Sequence, residues 1–202
     1  MTKPKPANPA LSISHPDLAS ALEQIGTEVD NQPLRSSALA RIMREMFHGS
    51  DAGGAWDWRM AYDLMQAAAV QVLLRGEGAS GDIATAKLLA SRLLTETRRS
   101  EQQIRLQQFS TPLAFAALTV RAAAIRKGET VLEPSAGTGA LAAFAARAGA
   151  TLLLNEIDPF RQSLLRSVFG CDVTGHDGEH IDDLLQSPVL PDVVVMNPPF
   201  AS

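Results

Sequence analysis

Apolar side chains between residues 55 and 75 fall at Trp58, Tyr62, Met65, Ala69, Val72 and Leu73. Steps of three and four predict a helix, Ala55 to Arg75, anchored in a core by its aromatic residues. An aromatic anchor explains the pattern better than a base-stacking surface. Before it, His15-Pro16-Asp17 opens a short helix through LASALEQIG, with Pro16 in the first turn. Gly26 and Pro33 bracket a loop, Leu34 to Phe47 reads as a second helix ending near Gly49, and Gly53-Gly54 marks another break. Asp82 is a plausible N-cap for a helix from Ile83 to about Thr97.

The pattern changes after residue 110. Thr111-Pro112 reads as an N-cap followed by proline in the first helical position, opening Leu113 to Arg126, with Gly128 as the stop. Short apolar runs then predict strands at 129–133, 151–156, 171–174 and 192–196. Helices are predicted between them at 139–147, 159–169 and 180–185. Strand–helix alternation with unbroken apolar strands implies an α/β fold: a parallel sheet covered on both faces. Right-handed crossovers make it doubly wound. The expected organisation is a disordered tail over 1–15, a helical domain over 16–105 and an α/β domain over 106–202.

Composition narrows the classes. With 202 residues and a net charge of −4, the chain is no polycation, so binding to nucleic acid needs a local basic patch or a second subunit. Arg98, Arg99 and Arg105 are the candidate patch; a solvated linker is the competing reading. One cysteine, Cys171, excludes an internal disulfide and suits a reducing cytoplasm. No apolar run approaches membrane-spanning length. The start, MTKPKPANPA, has lysines without an apolar signal core.

Chemistry concentrates at two places. VLEPSAGTGA, Val131 to Ala140, is a strand running into a tight loop and a helix start, and such a loop at a strand's carboxyl end binds nucleotides in open α/β sheets. Gly137, Gly139 and Ala142 also fit the dinucleotide pattern G-x-G-x-x-A, with Glu156 near the spacing of a ribose-binding acid. An NAD-dependent oxidoreductase is therefore one reading. VVVMNPPF, Val193 to Phe200, argues against it, because a dinucleotide fold has no use for Asn-Pro-Pro-aromatic. His176 to His180 also match H-x-x-E-H, a zinc-protease pattern. That motif needs a helix through all five residues, which Gly175 and Gly178 disfavour, so no metal is expected.

FSTP at Phe109 to Pro112, EPSAGTG at Glu133 to Gly139, NEIDP at Asn155 to Pro159, HD at His176–Asp177 and NPPF at Asn197 to Phe200 follow one another in order. In these motifs the second half resembles the adenine-N6 DNA methyltransferases that use S-adenosylmethionine. The whole chain looks like the amino-terminal part of bacterial strawberry-notch-like proteins, where a methyltransferase-like module precedes a helicase-like region. The resemblance implies a Rossmann-like sheet whose strand order begins 3-2-1-4. It implies cofactor contacts from Phe109, Thr111, Glu133, Pro134, Ala136, Gly137, Gly139, Glu156, Ile157 and Asp177. Glu156 would take the ribose hydroxyls, Asp177 the adenine amine and Glu133 the methionine ammonium, while Phe109 and Thr111 close the methionine side. Asn197, Pro198, Pro199 and Phe200 would form the reaction centre. There the Asn197 side-chain oxygen and the Pro198 carbonyl draw an amine's lone pair out of conjugation, and Phe200 stacks an extruded base.

The resembling fold continues beyond its fourth strand, so the chain reads as a piece of a longer protein, weakly active by itself. The expected function is methyl transfer to the N6 amine of adenine in DNA. RNA or protein amide as acceptor, and a non-catalytic interaction module of a methyltransferase–helicase protein, remain the alternatives.

Overall fold

The computed structural model describes residues 15–76, 83–95, 110–185 and 190–198. Residues 1–14 of the tail predicted over 1–15, the N-cap at Asp82, the arginines at 98, 99 and 105, and Phe109, Pro199 and Phe200 lie outside them, while His15 already belongs to a helix.

Among the described residues four helices come first: α1 (His15–Asn31), α2 (Ser36–Phe47), α3 (Trp58–Arg75) and α4 (Ile83–Arg92). Gly26 does not end α1, contrary to its expected role. A Cβ there would sit 3.2 Å from Val72 Cγ2, so this glycine lets α1 press against α3. α2 closes on His48, whose φ of 51° gives the left-handed cap. α3 starts three residues later than expected because Asp57 caps it, its side chain accepting from the Met60 N–H. Around α3, Met60 to Met65, Ala67 to Val70 and Leu73 are all buried. A helix buried on nearly every side is a central one.

The second half contains α5 (Leu113–Ala122), β1 (Thr130–Glu133), α6 (Ala140–Arg147), β2 (Thr151–Asn155), α7 (Pro159–Phe169), β3 (Val173–Thr174), a 3-10 turn (Gly178–His180), α8 (Ile181–Leu184) and β4 (Val193–Val194). α5 stops before the expected Arg126, where Ala124 takes a φ of 51°. Its N-cap is Pro112 without a side-chain bond, so Thr111 does not cap it. All strands are parallel, in the order β3-β2-β1-β4. The α/β class with an all-parallel sheet therefore stands.

Coverage of the sheet differs from expectation. Val131 pairs with Leu152 and Val193 and lies in the main core with Val195. Its neighbour Leu132 pairs with Leu153 and Val194, which face the other way. Val194 is 46% and Met196 52% exposed. The unbroken run VVVM predicted a strand buried on both faces; among the described residues its burial alternates instead.

One apolar cluster runs from Leu22 of α1 through Met43, Leu64 and Met65 to Phe144, Leu164 and Val195. The helical first half and the sheet thus share a core. No helix among the described residues is long and apolar enough to cross a membrane.

Candidate functional site

The site follows from what happens at the carboxyl ends of β1, β2 and β4. After β1 the chain turns through Pro134 to Gly139 into α6. Gly137 and Gly139 have φ of 57° and 88°, backbone that side chains with a Cβ rarely adopt. Their roles differ. A Cβ on Gly139 would lie 2.5 Å from Phe169 Cε2 and 3.0 Å from Leu165 Cδ2, so this glycine lets α7 pack against the loop. A Cβ on Gly137 would meet nothing within 4 Å, so its outer side is open to a ligand.

Glu156 follows β2 and is 4% exposed. Its Oε2 accepts the Gly137 N–H at 2.7 Å and its Oε1 accepts the Asp158 N–H at 2.9 Å. One carboxylate thus fastens the glycine loop to the start of α7. Each oxygen retains a lone pair for a further donor. Burial raises the Glu156 pKa, against the pull of Arg161 and the two N–H donors.

Glu133, the last residue of β1, is 3% exposed, and its Oε2 has no hydrogen-bond partner among the described residues. Burial drives its pKa well upward, and the charge of Glu156 adds to this; a backbone hydrogen bond at Ala142 opposes it. Burial thus favours the protonated acid over the ionised group expected to face a methionine ammonium.

Asn155 opens the NEIDP motif but was given no role there. It is 1% exposed. Its Nδ2 donates to the Pro134 and His176 carbonyls at 2.8 and 2.9 Å, and its Oδ1 accepts from Thr174 Oγ1 and the His176 N–H. Four bonds from one amide hold the loops after β1 and β3 side by side. A polar residue closing the apolar run TLLL was the available signal for this role. Gly178 completes the approach, since a Cβ there would lie 3.0 Å from Ser135 Oγ. Asp177 is exposed and accepts the Glu179 N–H at 3.1 Å, which opens the 3-10 turn. Only residues 178–180 of the H-x-x-E-H match are in that turn, so its histidines do not share a helical face. Among the described residues no His, Cys, Asp and Glu cluster could hold a metal. Ile157 projects 55% exposed beside the loop, while Ala136 is buried.

On the other flank of β1, the chain beyond β4 leads to Asn197-Pro198. Asn197 Nδ2 donates to Thr111 Oγ1 at 3.1 Å, which leaves the amide oxygen available as an acceptor. Thr111 lines a cavity of about 240 Å³ together with Thr138 of the glycine loop. Glu156 and Asn197 therefore emerge at the same edge of the sheet, on either side of one loop.

A buried charge network braces this edge. Arg59 of α3 reaches Asp158 at 2.8 Å, and Arg161 of α7 reaches Asp63 of α3 at 2.7 Å. Burial raises the Asp63 pKa against the attraction of Arg161. At Asp158 burial also acts upward, but Arg59 and the N–H of Arg161 outweigh it and the pKa is lowered. A charge inside the apolar stretch WRMAYDLM was the available signal for Asp63.

Comparison with protein-family models, curated proteins and solved structures finds no match.

Proposed function

We propose that this chain is an S-adenosylmethionine-dependent N-methyltransferase built on a Rossmann-like fold, acting on the exocyclic N6 amine of adenine in DNA. The observation that carries the reading is the meeting, at one sheet edge, of an acid-anchored glycine loop and an Asn-Pro strand end. Gly137, Glu156 and Asp177 would hold the nucleoside half of the cofactor. The orphaned Oε2 of Glu133 and the hydroxyl of Thr111 would face its amino-acid half. When bound, S-adenosylmethionine supplies a methyl group already activated on a cationic sulfur. The protein's task is then positioning. Asn197 Oδ1 and the Pro198 carbonyl accept the amine's two hydrogens and draw its lone pair toward the methyl. The amine nitrogen would gain the methyl as the methyl–sulfur bond breaks, the electron pair staying with the departing thioether, and would give up a proton to solvent. The Thr111 hydroxyl keeps the Asn197 amide from turning its NH2 toward the substrate. A cytoplasmic location goes with this reading.

Transfer of labelled methyl from S-adenosylmethionine to DNA, with RNA and protein as parallel acceptors, tests it. Asn197→Ala is expected to lower transfer to DNA by roughly 100-fold, one lost acceptor on the reacting amine being worth about 3 kcal/mol, with cofactor affinity kept. Transfer that survives Asn197→Ala sinks the assignment of the reaction centre. A second reading, a non-catalytic interaction module, is favoured by one feature: Glu156 already serves the protein's own backbone with both oxygens. Absence of cofactor binding by calorimetry would favour that reading.

A further inference from the structure

Phe115 is 65% and Leu118 48% exposed, in a helix whose other long apolar side chains, Leu113 and Val120, are buried. Phe115, Leu118 and Arg121 fall at steps of three, one row along the outside of α5. That row starts one helical turn from Thr111, the hydroxyl that accepts from Asn197 at 3.1 Å. It ends at Arg121, and exposed Arg126 and Lys127 follow just past the helix.

Charge along this row has one sign. Residues 110–128 contain no Asp or Glu, in a chain that has 22 of them. α4 and α6, both packed against α5, contain none either. The next acid along the chain, Glu129, accepts the Arg126 backbone N–H at 2.7 Å. A molecule with a net charge of −4 thus keeps an acid-free, basic face with an aromatic ring on it. A purely apolar partner would use the ring and Leu118 and leave the cations unanswered. A nucleic-acid strand uses both, with phosphates on the cations and a base face on the ring. The dimensions agree. Ten residues of helix at ~1.5 Å each span about 15 Å, which is about four nucleotides at ~3.4 Å each.

We propose that the outer row of α5 is the docking track for the nucleic-acid strand on one side of the target base. Phe115 stacks a base close to the one presented to Asn197, and Arg121, Arg126 and Lys127 take the phosphates that lead away from it. This rests on the methyltransferase reading above and gives its substrate a path across the protein.

Fluorescence anisotropy with the whole 202-residue chain tests it with two labelled probes. One is an adenine-containing single strand of DNA of about 12 nucleotides; the other is a base-free deoxyribose-phosphate strand of the same length. Phe115→Ala should weaken the DNA strand by roughly 5- to 100-fold, the worth of one stacked base, and leave the base-free strand within about twofold. Arg121→Ser, Arg126→Ser and Lys127→Ser together should weaken both strands and flatten the slope of log Kd against log salt by about 2. The same change at the exposed Arg35, Arg41 and Arg44 of the α2 region should leave that slope as it is. The proposal is overturned if the wild type binds no DNA strand, if Phe115→Ala weakens both probes alike or neither, or if the α2 variant flattens the slope as much. A parallel titration with S-adenosylhomocysteine separates the two readings. Cofactor binding without the expected DNA pattern sinks the track alone. The DNA pattern without cofactor binding sinks the methyltransferase reading and leaves α5 as a nucleic-acid surface.

Discussion

Glu133 shows how far one residue's surroundings decide its chemistry. In VLEPSAG it reads as an ionised acid beside a glycine loop, yet it is enclosed at the end of β1 with one oxygen unpartnered. Burial favours its protonated form. The consequence for stability has a definite sign. The unfolded chain ionises Glu133 near the ordinary glutamate value of about 4.3, and the native protein does so only at higher pH. The stability it contributes is therefore complete below that pH and is lost as pH rises toward the raised native value. Glu133→Gln removes the titration but keeps the shape. The stability of the variant relative to wild type should climb as pH rises above about 4.3 toward the raised native value, with a slope of up to about 1.4 kcal/mol per pH unit. Urea unfolding at three pH values checks this, and a difference that stays flat across the range would show that Glu133 ionises in the native protein. Asn155 offers the complementary case: its four bonds are internal, so its value is in holding two loops in register.

At the scale of elements, the glycine loop and α7 form one unit with two unlike glycines. Gly139→Ala drives a Cβ into Phe169 and Leu165 and keeps a positive φ. It should cost about 2–4 kcal/mol, strain and overpacking together. Gly137→Ala meets only the backbone penalty of about 1–2 kcal/mol, but places a methyl where a ligand would approach. Thermal unfolding should rank Gly139→Ala as the more damaging, and cofactor titration should single out Gly137→Ala at temperatures where it remains folded. Equal stability losses would contradict the division of labour. Much at this scale was legible beforehand. Pro159 to Phe169 appears at its expected bounds because Asp158 and Pro159 form a strong start and Gly170, at a φ of 64°, a strong stop. Gly26 and Thr111 were misread because punctuation by glycine, and capping by threonine, depend on what lies across from them. Val72 lies across from Gly26 and Asn197 lies across from Thr111. A one-dimensional pattern cannot contain those neighbours. The alternation in β4 was hidden for the same reason: VVVM reads alike whether one face is covered or two.

Over the whole molecule, the question is whether the helical half and the sheet half stand or fall together. Their shared core argues that they do, and the buried charges make the link specific. Asp63 belongs to α3 and Arg161 to α7, 98 residues apart in sequence and 2.7 Å apart in space. Each is about 4% exposed or less as a side chain. Such a pair adds little net stability, because desolvation offsets the attraction, but breaking it strands a buried charge. Asp63→Leu alone, or Arg161→Met alone, should therefore cost about 3–5 kcal/mol. The double variant should cost distinctly less than the sum, since it removes both charges at once. Arg59 remains to hold Asp158 in it, so the brace on the glycine-loop edge is kept. Because α3 is buried on nearly every side, the loss should not be confined to the helical half. A single cooperative urea transition, followed by both helix ellipticity and tryptophan fluorescence from Trp56 and Trp58, should move as a whole. Two separated transitions, with only the tryptophan signal shifted, would mean that the halves are energetically independent and that α3 merely rests against the sheet.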